Sequence, residues 1–224
     1  MVRRFLIVLA FITGGSASSA ANLDAVGRIE LDGAPTCTGA LVAPDLVLTA
    51  AHCLFDPSTG LRLDAGRFSF GAGWQGNDHR AYRNVSDTAV HPLYEYQSPD
   101  EAARLRRDMA LLRLSHPIPV GTVPALTFSA RPRVGETLRV ATFGRNRAVQ
   151  AHPCKVISRQ VGVFVTSCAV DYGHSGAPIL RISQGRAQIV SVVAAKGRTD
   201  GQAVSLGAPV QDGLSAVMDA LTRR

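Results

Sequence analysis

The sequence predicts an all-β protein of two antiparallel lobes followed by one C-terminal helix, and three observations carry that expectation. Apolar runs of strand length follow one another at short spacing, separated by Gly, Pro, Asp and Asn clusters, as in antiparallel sheets and barrels. Midway, the stretch 115–124 carries Pro117, Pro119 and Pro124. Proline cannot donate to a sheet ladder, so this stretch is read as the connection between the lobes. The last segment changes period, with Leu214, Val217, Met218 and Leu221 on one helical face.

Taken in order, residues 1–21 read as a secretory signal peptide: Arg3 and Arg4 begin it, Phe5 to Ile12 form its apolar run, and Ser18-Ser19-Ala20-Ala21 its small-residue exit. That run is too short to span a bilayer, and no later stretch is long and apolar enough to do so. Front-lobe strands are expected at 26–31, 38–42, 46–49, 68–71, 85–91 and 109–114. One helix interrupts them, with Ser98 as its cap, Pro99 at the first helical position and Glu101 closing a capping box. Rear-lobe strands are expected at 137–143, 162–165, 177–182, 187–195 and 203–209, before a helix at about 212–222 capped by Asp212. The lobes are placed at about 22–118 and 119–210, and the mature chain of about 200 residues can bury a substantial core.

The four cysteines, Cys37, Cys53, Cys154 and Cys168, form an even set in a chain read as exported, so disulfides are expected. Of the three pairings, the sequence-local one joins Cys37 to Cys53 and Cys154 to Cys168, closing loops of similar length worth about 3 kcal/mol each. No Cys-x-x-Cys pair suggests a metal site. The net charge of +7 falls to +5 without Arg3 and Arg4. The arginines are scattered, with no basic helix or aromatic-rich recognition motif, so they are read as solvated surface charge rather than a nucleic-acid face.

Three stretches carry chemistry: Leu48-Thr49-Ala50-Ala51-His52-Cys53, Asp108 to Leu114, and Gly173-His174-Ser175-Gly176-Ala177-Pro178. Acyl transfer by a serine needs a base for the hydroxyl proton, a group that orients the base, and donors for the oxyanion. A serine between glycines can present its hydroxyl on a tight turn. His79, His91, His116 and His152 are read as surface or turn residues; three of them precede proline, which favours extended or turn backbone.

These stretches, in this order, resemble those of the chymotrypsin-like (trypsin-like) serine peptidases. Cys37-Thr38-Gly39-Ala40-Leu41 and 46–53 resemble the strand pair leading into that family's catalytic histidine. His91-Pro92-Leu93-Tyr94 and 108–114 resemble the aspartate segment, 173–178 the serine loop, and Ile189-Val190-Ser191 the strand beside the substrate cleft. The resemblance implies two antiparallel six-stranded β-barrels packed around a cleft, with a C-terminal α-helix. It also implies His52 as base and acid, Asp108 as its orienting partner, Ser175 as nucleophile, and the N–H groups of Gly173 and Ser175 as the oxyanion hole. The expected product is a secreted or periplasmic serine endopeptidase, monomeric, acting on polypeptides without cofactor, metal or nucleic acid, and free of the membrane once its leader is removed. Its activity is expected to weaken below about pH 6.5 as His52 protonates.

Several positions depart from the family pattern. Immediately before the nucleophile stands His174, where activated members have an aspartate that binds a new N-terminus, and the start near 22–27 lacks an Ile-Val-Gly-Gly-like run. Losing both partners together is consistent, since an unpaired buried aspartate is costly, and implies that no such cleavage switches the chain on. His174 is read either as a pH-sensitive support for the oxyanion loop or as a partly exposed replacement. Ala177 replaces the family's second glycine. At the pocket base the family position falls on Ala169, with Asp171 nearby, and Ser191 is followed by Val192-Val193 rather than an aromatic residue and glycine. Branched side chains there favour a small or medium apolar residue before the cut bond.

Two other readings compete. Gly-His-Ser-Gly-Ala resembles the nucleophile elbow of α/β-hydrolases, whose order requires a histidine after the serine; none follows Ser175. A secreted protease-like binding protein with little or no catalysis is the other, suggested by His174 and the altered start.

Overall fold

The computed structural model describes residues 23–143 and 148–223; the expected signal peptide lies outside them. In the front lobe, β1 (Val26–Leu31), β2 (Ala34–Ala43), β3 (Leu46–Thr49), β4 (Phe68–Ala72), β5 (Ala81–Val90) and β6 (Ala110–Leu114) close into a barrel of order β1-β2-β3-β6-β5-β4. Every pairing within it is antiparallel. The Asp32-Gly33 dipeptide turns β1 into β2 with φ of 51° and 80°, the two left-handed residues that match hairpin twist.

The rear lobe contains β7 (Thr127–Phe128), β8 (Thr137–Phe143), β9 (Val149–Gln160), β10 (Val163–Thr166), β11 (Pro178–Ser183), β12 (Arg186–Thr199) and β13 (Gln202–Pro209). They run in the order β11-β8-β9-β10-β13-β12-β7, and an additional β11–β12 pairing closes six of them into a ring. β7 lies outside that ring, parallel to β12.

Two strands are unmarked in the sequence. β7 has only two residues. β9 reads VQAHPCKVISRQ, mostly exposed and interrupted by Pro153. It is tolerated because each half has a single partner: 149–155 pair with β8 and 156–160 with β10. The missing N–H of Pro153 therefore costs no ladder bond on its open side.

Both helix starts differ from expectation. α1 (Glu101–Arg106) is capped by Asp100, whose side chain accepts from the Ala103 N–H at 2.9 Å, so Ser98 and Pro99 precede the helix. The nearer carboxylate supplies the cap and suits the positive helix end. α2 (Val210–Thr222) begins directly at Pro209, which leaves Asp212 in its first turn, paired with Arg131 and Arg159.

Ile29, Leu41, Leu48, Phe68, Phe70, Leu111 and Leu112 fill the front barrel, and Leu138, Val140, Phe164 and Val190 the rear one. α2 buries Val210, Gly213, Val217 and Leu221 in the larger core, which joins its own face to Ile189 and Val192 of the rear lobe and to front-lobe residues. Burial at this spacing along one face is what holds a 13-residue helix in place. At Gly213 an added Cβ would stand 3.1 Å from His91, so the helix sits directly on that side chain. His91 is thereby buried at the strand end, and desolvation pushes its imidazole below the ordinary value, with the Arg107 charge acting the same way.

Candidate active site

The meeting of His52 and Asp108 follows from strand order. β3 and β6 are antiparallel neighbours, with Leu48 opposite Leu111 and Thr49 opposite Ala110. Residues just beyond the end of β3 therefore lie beside those just before the start of β6. His52 sits in the 3-10 turn Ala51–Leu54, and Cys53 of that turn is bonded to Cys37 of β2. Asp108 is only 4 % exposed at its side chain and accepts twice from His52: Oδ1 from the backbone N–H at 2.8 Å, Oδ2 from Nδ1 at 2.6 Å. This fixes the proton on Nδ1 and leaves Nε2 as the basic nitrogen.

Opposing influences act on that imidazole. Burial, the largest of them, disfavours the charged ring, but the charge of Asp108 and its hydrogen bond together outweigh it, with Arg104 acting with burial; His52 lies above the ordinary histidine value. Cys37 and Cys53 sulfurs lie within 4.8 Å of a His52 ring nitrogen, but their mutual bond removes the thiolates a metal would need.

Ser175 belongs to the rear lobe, on the loop between β10 and β11, and two threonines of the front lobe hold that loop. Thr38 donates through its N–H to the Ser175 carbonyl at 2.9 Å and through Oγ1 to the Gly173 carbonyl at 2.8 Å. Thr49 in turn donates to the Thr38 carbonyl at 2.8 Å. The approach is so close that a Cβ on Gly176 would fall 2.1 Å from Thr49 Oγ1 and 2.9 Å from the Ala50 N, two residues before His52. Ser175 is thus anchored beside the His52 turn by its backbone. Among the described residues its hydroxyl makes no hydrogen bond, so the serine and the imidazole are not joined by one in this structure.

Gly173 adopts φ +83°, and among the described residues neither its N–H nor that of Ser175 has a hydrogen-bond partner. Both remain available to an oxygen. The neighbouring groups are engaged: His174 N–H donates to the Asp171 carbonyl at 3.0 Å and Gly176 N–H to that of Val193 at 2.8 Å.

Beside Ser175 lies a cavity of about 100 Å³ walled by Val170, Val193 and Ala195, with Tyr172, Asp171 and Lys196 at its rim. Lys196 Nζ is 3.2 Å from Asp171 Oδ1 and 3.9 Å from the centre of the Tyr172 ring. Of the sequence-read pocket residues, Asp171 and Val193 line this cavity. Ala169 lines a larger one with His152 and His174 instead. Ser191 and Val192 point into the interior: both are essentially buried, and Ser191 Oγ donates to the Ala208 carbonyl at 2.8 Å. A bulge in β12 between Val193 and Ala195 shifts the register by one residue and brings Ala195 and Lys196 to the cavity, which sequence spacing could not reveal. Cys154 and Cys168 are bonded across the base of the serine loop's entry. On the other side of His52, Tyr94, Tyr96, Arg104, Leu105 and Ala194 enclose about 330 Å³.

A family model described as Trypsin matches residues 12–217. Among curated proteins, "Inactive CLIP domain-containing serine protease A3" of Aedes aegypti is 35 % identical over 138 residues, 59 % of this chain and 28 % of that protein. This chain therefore corresponds to under a third of that relative's length. Azurocidin of Sus scrofa is 28 % identical over 195 residues, 78 % of this chain and 75 % of its own. Among solved structures, "Structure of Glu endopeptidase in complex with MPD" superposes with a TM-score of 0.73 at 19 % identity, covering 92 % of this chain and 94 % of that one, a likeness of fold.

Proposed function

This chain belongs to the trypsin family, and from that premise we propose that it is a secreted serine endopeptidase using Ser175, His52 and Asp108. The observation that supports this most is the doubly bonded Asp108–His52 pair, set beside a serine loop whose Gly173 and Ser175 N–H groups are unengaged.

In the proposed reaction Ser175 Oγ attacks the scissile carbonyl carbon while His52 Nε2 takes the hydroxyl proton. The carbonyl oxygen, now carrying the charge, receives the two free N–H groups. His52 then gives its proton to the departing amine, leaving an acyl-enzyme. Water repeats the sequence and releases the acid. Asp108 keeps the imidazole in the tautomer that makes Nε2 the base, and its fixed charge stabilises the imidazolium that forms.

Preference at the cut bond is proposed to be for a small or medium apolar side chain. Val170, Val193 and Ala195 give the cavity apolar walls, and the Asp171–Lys196 pair leaves no net charge at its rim. A cleavage profile from a peptide library is expected to be dominated by such residues; one dominated by Arg and Lys would contradict this.

The test of the main reading is covalent labelling by a serine-directed fluorophosphonate. Labelling is expected in the folded protein and lost in Ser175→Ala and His52→Ala. A second reading, a protease-like binding protein, is favoured by the relative named inactive. Absence of labelling in folded wild-type protein would select it.

Acid sensitivity follows from the pair geometry. Only neutral His52 can accept the serine proton, and its value is raised above 6.5, so kcat/KM is expected to fall with decreasing pH from a midpoint above 6.5. This revises the lower midpoint an ordinary histidine would give. A profile flat down to pH 5 would remove His52 from the role.

A further inference from the structure

The residue preceding Ser175 closes a small ring of hydrogen bonds that the proposed acyl transfer does not use. His174 Nδ1 accepts from the Asp171 N–H at 2.9 Å, while the His174 N–H donates to the Asp171 carbonyl at 3.0 Å. The two residues thus bind each other through side chain and backbone, and the turn they close contains Gly173 at φ +83°. On the far side of the imidazole lies Phe143 of β8, which lines the same cavities as His174. One N–H of the proposed oxyanion pair, that of Gly173, therefore sits inside a turn closed by the His174 side chain and backbone.

We infer that His174 is a positioning residue for the oxyanion-binding loop, competent only as the neutral imidazole with its proton on Nε2. This rests on the peptidase reading above. An acceptor is required at Nδ1 because its partner is a backbone N–H, which can only donate. Protonating the ring places two donors against each other, breaks the Asp171 N–H to Nδ1 bond, and frees Gly173 to leave the orientation that the oxygen needs.

Charged and titratable groups surround the ring on several elements. Asp171 lies on its own loop and is paired with Lys196 of β12; His152 of β9 lines the same cavity; and Arg28 of β1, paired with Glu30, lines the cavity on the other side. Burial, the largest influence, and His152 lower the His174 value, while Phe143 and Asp171 raise it; the net is downward. The clamp therefore stays closed where His52 begins to protonate, and opens at lower pH.

The rate of fluorophosphonate labelling at Ser175 tests this without knowledge of the substrate, since the phosphoryl oxygen occupies the same donors. His174→Ala is expected to label about 10²-fold more slowly at pH 8. His174→Asn, whose Oδ1 can accept from the Asp171 N–H, is expected to recover most of that rate. Below the His52 midpoint the wild-type rate should steepen from a log slope of about 1 to about 2 as the second histidine protonates, whereas His174→Asn should remain at about 1. Circular dichroism and thermal melting confirm that each variant is folded; if His174→Ala is not, the Asn variant and the wild-type slope decide. Equal rates for all three proteins, or a wild-type slope that never exceeds 1, would overturn the inference while leaving the peptidase reading intact. No labelling of folded wild-type protein at any pH would remove both.

Discussion

Exchanging Asp108 for asparagine is expected to lower kcat about 10⁴-fold with the fold preserved, the loss that this exchange brings in Ser-His-Asp triads. The carboxylate accepts from both the backbone N–H and Nδ1 of His52, at 2.8 and 2.6 Å. Asparagine can keep the first bond through its carbonyl oxygen. Its amide nitrogen must then face Nδ1, and because that group only donates, the imidazole has to carry its proton on Nε2. The basic nitrogen then points away from Ser175. Near-neutral stability is expected, because the side chains have the same shape and the exchange removes a buried charge. Kinetics on a peptide substrate, with a thermal melt beside them, measure both halves; a loss below about tenfold would mean that another group orients the base.

Replacing Gly176 by alanine is expected to destabilise the protein by about 2–5 kcal/mol and to abolish labelling of Ser175. At φ +76° a side chain costs about 1–2 kcal/mol in backbone strain. Overpacking adds about 1–3 kcal/mol, because the new methyl would lie 2.1 Å from Thr49 Oγ1 and 2.4 Å from the Thr38 carbonyl. The Thr38 carbonyl and the Ala50 N, 2.9 Å away, are backbone, so no rotamer change relieves the contact. Relief must come from separating the serine loop from the His52 turn, and this is why activity should fall along with stability. Alanine at Gly135, which has φ +83° but where an added Cβ meets nothing within 4 Å, is the matched control. Equal melting temperatures for the two variants would show that the close approach is not required.

The elements most readable in advance were those with strong alternation and clear punctuation. Val26–Leu31, Leu46–Thr49 and Thr137–Phe143 form strands with the expected limits. β9 was hidden because its stability comes from two different partners in succession, which leaves its own residues polar and exposed. The cap of α1 moved from Ser98 to Asp100 because several adjacent residues could serve, and the packing of the helix on β10, β12 and β13 selects one. In the site, His52, Asp108 and Ser175 were named by motif. Thr38, Thr49 and Lys196 carry no local signature of their roles, since each acts across a contact between segments far apart in sequence.

By itself the sequence determined the strand-rich class, the cysteine complement and the residue types able to perform acyl transfer, since composition, periodicity and local motifs are properties of the chain alone. Only the tertiary structure decided that β3 lies beside β6, that the serine loop docks on Thr38, and that the β12 bulge turns Lys196 to the cavity while Ser191 faces inward. The reason is that each is a pairing between distant segments, whose register is set by burial and backbone hydrogen bonding in the whole barrel and not by neighbours along the chain.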